Sequence, residues 1–470
     1  MRETFRSRSK TIGYMPLATP SRPPPPPIPR LNPMSELRFN VLTGGTSCHI
    51  PSRSLASYSD KPRGFSRPGL TGARVLQHQL PPCNLAPNAP FDLANAAMLP
   101  PFLQPPVLDA GGKPQIRVIL NKFPVLSLPL SLLSRAVTAE VETGASTCTP
   151  SVQYAGDACE WGIRRHMPAC GSQEVIIQHW RQNTCHALLE DDEVAALWRV
   201  LRQRVVANRA LDHVRYVQVM ENHGVRSGAS LPHPHSQLLA LPFVPGDQRA
   251  RLGLAKAHWV RRGKRRNPFD EAIDEARSAG RVLVENDACA VFVPFAVERA
   301  YEMWVVSKTP GATDLSHEEE HAVASIAVAC RDALALLYHE KDDPSYNLLV
   351  RSAPLADAAG NAAGDTAGDV EDVADVDDPE GYRQWYRWHV VIIPHQVDSH
   401  WAGIKGYGDF IPSEGTPEDH AAALRRWRGE KVELAPAVPA LGSGRRRWFA
   451  WGVGLAFVAS AWVLSRAKQR

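Results

Sequence analysis

Residues Tyr216 to Pro242 read YVQVMENHGVRSGASLPHPHSQLLALP: two short apolar runs separated by a loop rich in Gly, Asn and Ser. Runs of that length around such a loop predict a hairpin-like pair of strands. In the second strand, side chains alternate between faces. His233, His235 and Gln237 then fall on one side, and Pro234 and Ser236 on the other. The stiff Pro234 fixes the spacing of the two histidines. Neutral imidazole is a good nucleophile toward an activated phosphate, and its adduct is labile enough to be handed on. The plainer alternative is a polar loop in which two histidines happen to be close.

Asn222, Gly224, Gly228, Ser230 and Gln237 add to the bare His-x-His. With them, the segment resembles the active-site signature of the galactose-1-phosphate uridylyltransferase family, a branch of the histidine-triad superfamily. That signature runs Glu-Asn-x-Gly, a small-residue loop with Ser, then His-Pro-His-x-Gln. The resemblance implies an α+β fold of two histidine-triad-like domains, each an antiparallel sheet with packed helices, assembled as a homodimer. It implies that His235 attacks the α-phosphate of a nucleotide sugar and releases a sugar 1-phosphate. The proton on the other ring nitrogen is then held by an acceptor such as the His233 carbonyl. Asn222, Ser230 and Gln237 become substrate ligands, with Ser230 and Gln237 donating to phosphate oxygens as charge builds. Hydrolase members carry a third histidine where Gln237 stands. An amide is no general acid, which favours transfer to a phosphate acceptor over release to water.

Three functions follow. The family's typical reaction exchanges uridylyl groups between UDP-glucose and galactose 1-phosphate. An ADP-glucose phosphorylase-like branch acts instead on ADP-glucose or similar nucleotides, with phosphate as acceptor. The motif residues contact phosphates and do not separate uracil from adenine. The third reading is an inactive, membrane-tethered nucleotide-sugar binding protein.

Other stretches follow the family's order. Glu36–Gly44 and Ile50–Arg53 resemble its opening, and Ile116–Leu126 its nucleotide-contacting strand and turn, which makes Asn121 a substrate ligand by resemblance. Residues 127–169 match nothing in that pattern. Metal-binding members carry Cys-x-x-Cys where this chain has Cys83 and Ala86. A structural zinc site needs four good ligands. Cys83 and His233 match two of them. Gln182 stands at the natural place of a third, with His179 and His186 nearby. Either zinc is lost and replaced by packing, or His186 completes a weaker site. Arg351 stands where a second metal site has a histidine. No organic cofactor is expected.

At 470 residues with a net charge of +4, 22% charged and 44% hydrophobic, the chain suits a two-domain globular protein, not a nucleic-acid binder. Eight cysteines without paired spacing suggest a reducing compartment. Residues 1–33, rich in Arg, Ser and Pro, read as a disordered extension upstream of Met34 or as a plastid or mitochondrial transit peptide. The first domain is expected over 34–245. A helical linker over 246–280 leads to a second domain over 281–430, interrupted by an acidic disordered insertion at 356–380. The second domain repeats the first without its nucleophile. Beyond a linker at 431–447, Trp448–Leu464 is an uncharged, mostly apolar run with basic flanks. At ~1.5 Å per residue it spans roughly 26 Å, enough for one C-terminal membrane anchor with the catalytic part facing the cytosol.

Overall fold

The computed structural model describes residues 36–40, 46–49, 89–126, 153–154, 164–169, 171–211, 213–355, 379–395 and 415–429. The N-terminal extension, Cys83, most of the acidic insertion, the linker at 431–447 and the Trp448–Leu464 run lie outside them. In chain order, the first strands are β1 (Glu36–Asn40), β2 (Thr46–His49), β3 (Val107–Leu108), β4 (Pro114–Leu120), β5 (Gln153–Tyr154), β6 (Arg164–Pro168) and β7 (Ser172–Ile177). Helix α1 (Asp191–Arg209) leads to β8 (Tyr216–His223) and β9 (His235–Leu241), followed by α2 (Gly246–Arg261) and α3 (Pro268–Ser278). Then come β10 (Val282–Glu285), β11 (Cys289–Phe292), β12 (Met303–Ser307), α4 (Glu320–Lys341), β13 (Ser345–Arg351), α5 (Pro379–Trp385), β14 (His389–His395) and α6 (Pro417–Arg425).

Ten strands form one antiparallel sheet in the order β10-β11-β12-β14-β13-β8-β9-β7-β4-β3. The repeat predicted from the sequence is visible in it. Strand–helix–hairpin units β7-α1-β8-β9 and β12-α4-β13-β14 sit on either side of the β8–β13 seam. Their pairing at the seam, Asn222 against Asn347 and Val219 against Val350, makes one sheet of the two halves. The unmatched stretch 127–169 contains β6, which pairs with β1 in a second, four-stranded sheet.

Alternation fixes what each face of the large sheet touches. Val217, Val219, Leu238, Ala240, Leu348, Val350, Val390 and Ile392 point to one face and join α1 and α4 in the main core. Helix α1 starts at a capping box between Glu190 and Glu193, with Asp191 and Asp192 in its first turn and Arg209 in its last, which suits the helix dipole. Helix α4 is long and apolar enough to cross a membrane, but over half of its most apolar stretch is buried inside the fold, as in the core helix of a soluble protein. The stretch expected as a linker folds as α2 and α3. There Leu252, Trp259, Phe269 and Ile273 pack with Phe292, Val306, Tyr382 and Trp385 on the opposite face of the second half. The acidic insertion ends earlier than its composition suggests, because Pro379 and Glu380 already begin α5.

Candidate active site

Strand β9 begins at His235, so His233 lies in the turn before it rather than in the strand. Register across the sheet collects the site residues on one face. Arg117 pairs with Ile177, and Ile177 with His235; in the next row Ile119 pairs with Val175, and Val175 with Gln237. On β8, Met220 faces Gln237, so Asn222 shares that face by alternation, as does its seam partner Asn347. Phe91 closes the site from above, its ring 5.3 Å from that of His235 and 5.8 Å from that of His233.

Hydrogen bonds set the state of both histidines. His235 Nδ1 lies 2.8 Å from the His233 carbonyl oxygen. A carbonyl only accepts, so Nδ1 carries the proton and Nε2 presents its lone pair. Burial holds the His235 pKa below the ordinary imidazole value, opposed by the His233 carbonyl and the charge of Glu221. His233 Nε2 donates to the His179 carbonyl at 2.7 Å, and burial pushes its pKa down to about 3. Both rings are therefore neutral near pH 7.

Gln237 accepts through Oε1 from Gln173 Nε2 at 2.9 Å, which leaves its own NH2 as the outward donor. Gln173 Oε1 in turn accepts from the Val125 N–H, and the Gln173 carbonyl accepts from the Asn121 N–H. Asn121 Oδ1 caps the turn after β4 by accepting from the Phe123 N–H at 2.9 Å. Asn121 is thus tied to Gln237 through Gln173. Asn222 Oδ1 accepts from Asn347 Nδ2 at 2.6 Å. Ser230 stands exposed in the loop leading to His233.

Arg117 is a site residue that sequence reasoning passed over. Its guanidinium is fully buried and donates to the Phe91 carbonyl, while Nε and Nη1 have no protein partner. Burial pushes its pKa down to about 10. The clue was a charged residue in the middle of an apolar strand.

The expected zinc set does not assemble among the described residues. His186 Nδ1 lies 3.0 Å from Glu221 Oε2, and its Nε2 accepts from Trp198 Nε1. Glu221 pairs with Ser236, so His186 belongs to the helix-covered face, away from His233. His186 is thus a buried partner of Glu221. Cys83 lies outside the described residues. Arg351 pairs opposite His389 and binds Asp247 Oδ2 at 2.9 Å.

His389 opens β14 as His235 opens β9, and its Nδ1 likewise faces a carbonyl two residues back, that of Arg387, at 3.1 Å. The second half thus keeps a histidine at the place that His235 holds in the first. Rings of Phe269, Trp304 and Tyr386 enclose it, with centroids 4.9, 5.1 and 6.1 Å away.

Residues 156–245 match the galactose-1-phosphate uridyl transferase N-terminal domain. An ADP-glucose phosphorylase of Arabidopsis thaliana is 26% identical over 245 residues, 51% of this chain and 60% of that protein. A galactose-1-phosphate uridylyltransferase of Thermotoga maritima is 31% identical over 172 residues, 36% of this chain and 52% of that one. The matched stretches therefore span little more than half of these relatives. Among solved structures, an Arabidopsis thaliana ADP-glucose phosphorylase with bound ADP-glucose aligns over 83% of this chain and 98% of its own, with a TM-score of 0.52 and 20% identity, a likeness of fold.

Proposed function

We propose that this chain, a relative of the galactose-1-phosphate uridylyltransferase family, is a nucleotidyltransferase that works through a covalent adduct on His235. One observation carries the reading: the 2.8 Å hydrogen bond from Nδ1 to the His233 carbonyl, which aims a neutral Nε2 lone pair out of the sheet. In the first step Nε2 attacks the α-phosphorus of a nucleotide sugar. The N–P bond forms, the P–O bond to the β-phosphate breaks, and a sugar 1-phosphate leaves. In the second step a phosphate oxygen of the acceptor attacks phosphorus, and the electron pair of the N–P bond returns to Nε2. As the first bond forms, the ring becomes cationic and its Nδ1–H bond to the carbonyl strengthens. The Gln237 NH2 and Ser230 donate to the equatorial oxygens, Asn222 holds the loop side, and Asn121 the nucleotide side. With no histidine at position 237, no general acid favours water as acceptor.

The substrate we assign is UDP-glucose with a hexose 1-phosphate as acceptor. A second reading, ADP-glucose with phosphate as acceptor, is favoured by the Arabidopsis ADP-glucose phosphorylase match, which extends over more of this chain than the Thermotoga one. No zinc enters the proposed steps. The Trp448–Leu464 run would tether the enzyme to a membrane, which detergent-phase partitioning tests.

Incubating the full chain with α-phosphate-labelled UDP-glucose or ADP-glucose tests both readings. Acid-labile label on the protein, absent in His235→Ala, is the expected result. Label from UDP-glucose alone supports uridylyl transfer, and label from ADP-glucose moves the assignment to adenylyl transfer. No label from either, with the protein folded, overturns the enzyme and leaves a nucleotide-sugar binder.

A further inference from the structure

On the helix-covered face, behind the site, three ligand-bearing side chains from separate segments converge. Cys185 precedes the short helical turn His186–Leu188, His223 ends β8, and Asp343 sits in the turn between α4 and β13. A thiol sulfur, an imidazole nitrogen and a carboxylate oxygen from these residues lie within 4.8 Å of one another. All three residues are buried, at 1%, 8% and 8% exposure. Cys289 and Cys330 are buried too, but neither belongs to such a group.

The surroundings make this cluster more than a chance meeting of polar groups. His223 Nε2 and Asp343 Oδ1 are 2.7 Å apart, and the His223 ring stacks on Tyr346 with centroids 4.9 Å apart. Tyr346 in turn donates to Glu221 Oε1 at 2.7 Å, and His186 holds the other Glu221 oxygen. Two carboxylates, Asp343 and Glu221, therefore act on one buried thiol. Uncompensated negative charge away from water is costly. A divalent cation bound by a thiolate, a carboxylate and a neutral imidazole forms a unit of zero net charge, and the thiol proton leaves to solvent.

We propose that Cys185, His223 and Asp343 form a structural site for a thiolate-accepting divalent ion of the zinc or cobalt kind, with water in the fourth position. The donor set of one sulfur, one nitrogen and one oxygen suits a borderline ion and not magnesium or calcium. Ligands ~2.0–2.3 Å from a tetrahedral ion lie roughly 3.3–3.5 Å apart, so binding needs the cluster to tighten overall and the His223–Asp343 pair to open slightly. The ion would pin the end of β8, next to Asn222, to the loop before α1 and to the turn that starts β13. That fastens the site loop to both halves of the sheet, by ligands distinct from Cys83 and His233. The site does not depend on the proposed reaction.

The test is metal content and cobalt spectroscopy on the full chain. The protein, loaded with zinc and freed of excess, is expected to hold about one equivalent. Cobalt substitution is expected to give a thiolate-to-cobalt charge-transfer band. Cys185→Ser and Asp343→Asn lose the ion, and Cys83→Ser and His233→Asn keep it. Circular dichroism checks that each variant is folded. If Cys185→Ser does not fold, Asp343→Asn decides by the same two readouts. A wild-type chain that retains no zinc overturns the site. So does an ion lost in Cys83→Ser but kept in Asp343→Asn.

Discussion

Asn347 reaches across the seam between the two halves and donates to Asn222 at 2.6 Å, while also donating to the Ser227 carbonyl at 3.1 Å. His395 Nε2 faces the Asn347 oxygen from the far end of β14. The second half of the chain thus sets the position of Asn222 on the first. Asn347→Ala removes these bonds without disturbing the apolar face of β13. We expect kcat/KM for nucleotidyl transfer to fall about tenfold, the equivalent of ~1.4 kcal/mol and typical of one or two lost hydrogen bonds. Steady-state kinetics and an unchanged urea midpoint check it. An unaltered kcat/KM would show that Asn222 needs no support.

The neutral state of His235 has a pH signature. Burial lowers its pKa from 6.5, so the free nucleophile persists below the range in which an exposed histidine protonates. The rate of adduct formation is expected to stay level from pH 8 to the ordinary imidazole pKa, with its acid limb below that. A limb centred above 6.5 would contradict the buried, carbonyl-held ring.

Stability should respond to acid through two other histidines. His233 and His389 are both lowered to about 3 by burial, against 6.5 in the unfolded chain. Between those values the unfolded state binds more protons than the folded one, so stability falls as pH falls. The urea midpoint is expected to be flat above pH 7 and to drop steadily from pH 6.5 toward 4. The cost is on the order of a few kcal/mol in all. His389→Gln removes one titrating group far from the nucleophile and should flatten the slope. If the slope persists unchanged, His389 is not buried in its neutral form.

Gly224 packs closely against Ser345 of the second half. Its φ is +77°, in the left-handed region that glycine tolerates, and a Cβ there would lie 2.9 Å from Ser345 Cβ and 3.0 Å from Ser345 Cα. Part of that obstruction is backbone, so it cannot rotate away. Gly224→Ala is expected to cost at least ~1–2 kcal/mol and to push the loop off β13. Lower stability together with weaker substrate binding is the expected pair of readouts. Loss of neither would mean the loop has another path.

The strand that carries His235 and the order of elements are legible because they rest on local signals. Alternation places Gln237 beside His235, and the acidic start of α1 and its apolar spacing mark that helix. What was not legible depends on register between distant segments. The pairing of β8 with β13 makes one sheet of two expected domains, and no local pattern states which strand edges meet. Likewise His186 is a candidate ligand beside His233 only through the family resemblance. The side of the sheet it reaches is decided by Glu221, 35 residues away. Arg117 reads as part of a strand, because a charged residue in an apolar run does not by itself say where its guanidinium is buried.

Gln237 gives the sharpest test of chemistry against position. Its Oε1 is occupied by Gln173, so its NH2 donates outward, and nothing at that place delivers a proton. Replacing it by histidine supplies a group that does. With nucleotide sugar and no acceptor, Gln237→His is expected to release nucleoside monophosphate to water faster relative to transfer, by tenfold or more on the scale typical of general acid–base catalysis. Gln237→Ala is the control: it removes the donor without adding an acid, and should slow both outcomes together. The ratio of water release to transfer separates the two cases. If histidine and alanine leave that ratio equally unchanged, the amide does not decide between acceptors, and the choice lies with whatever excludes water from the adduct.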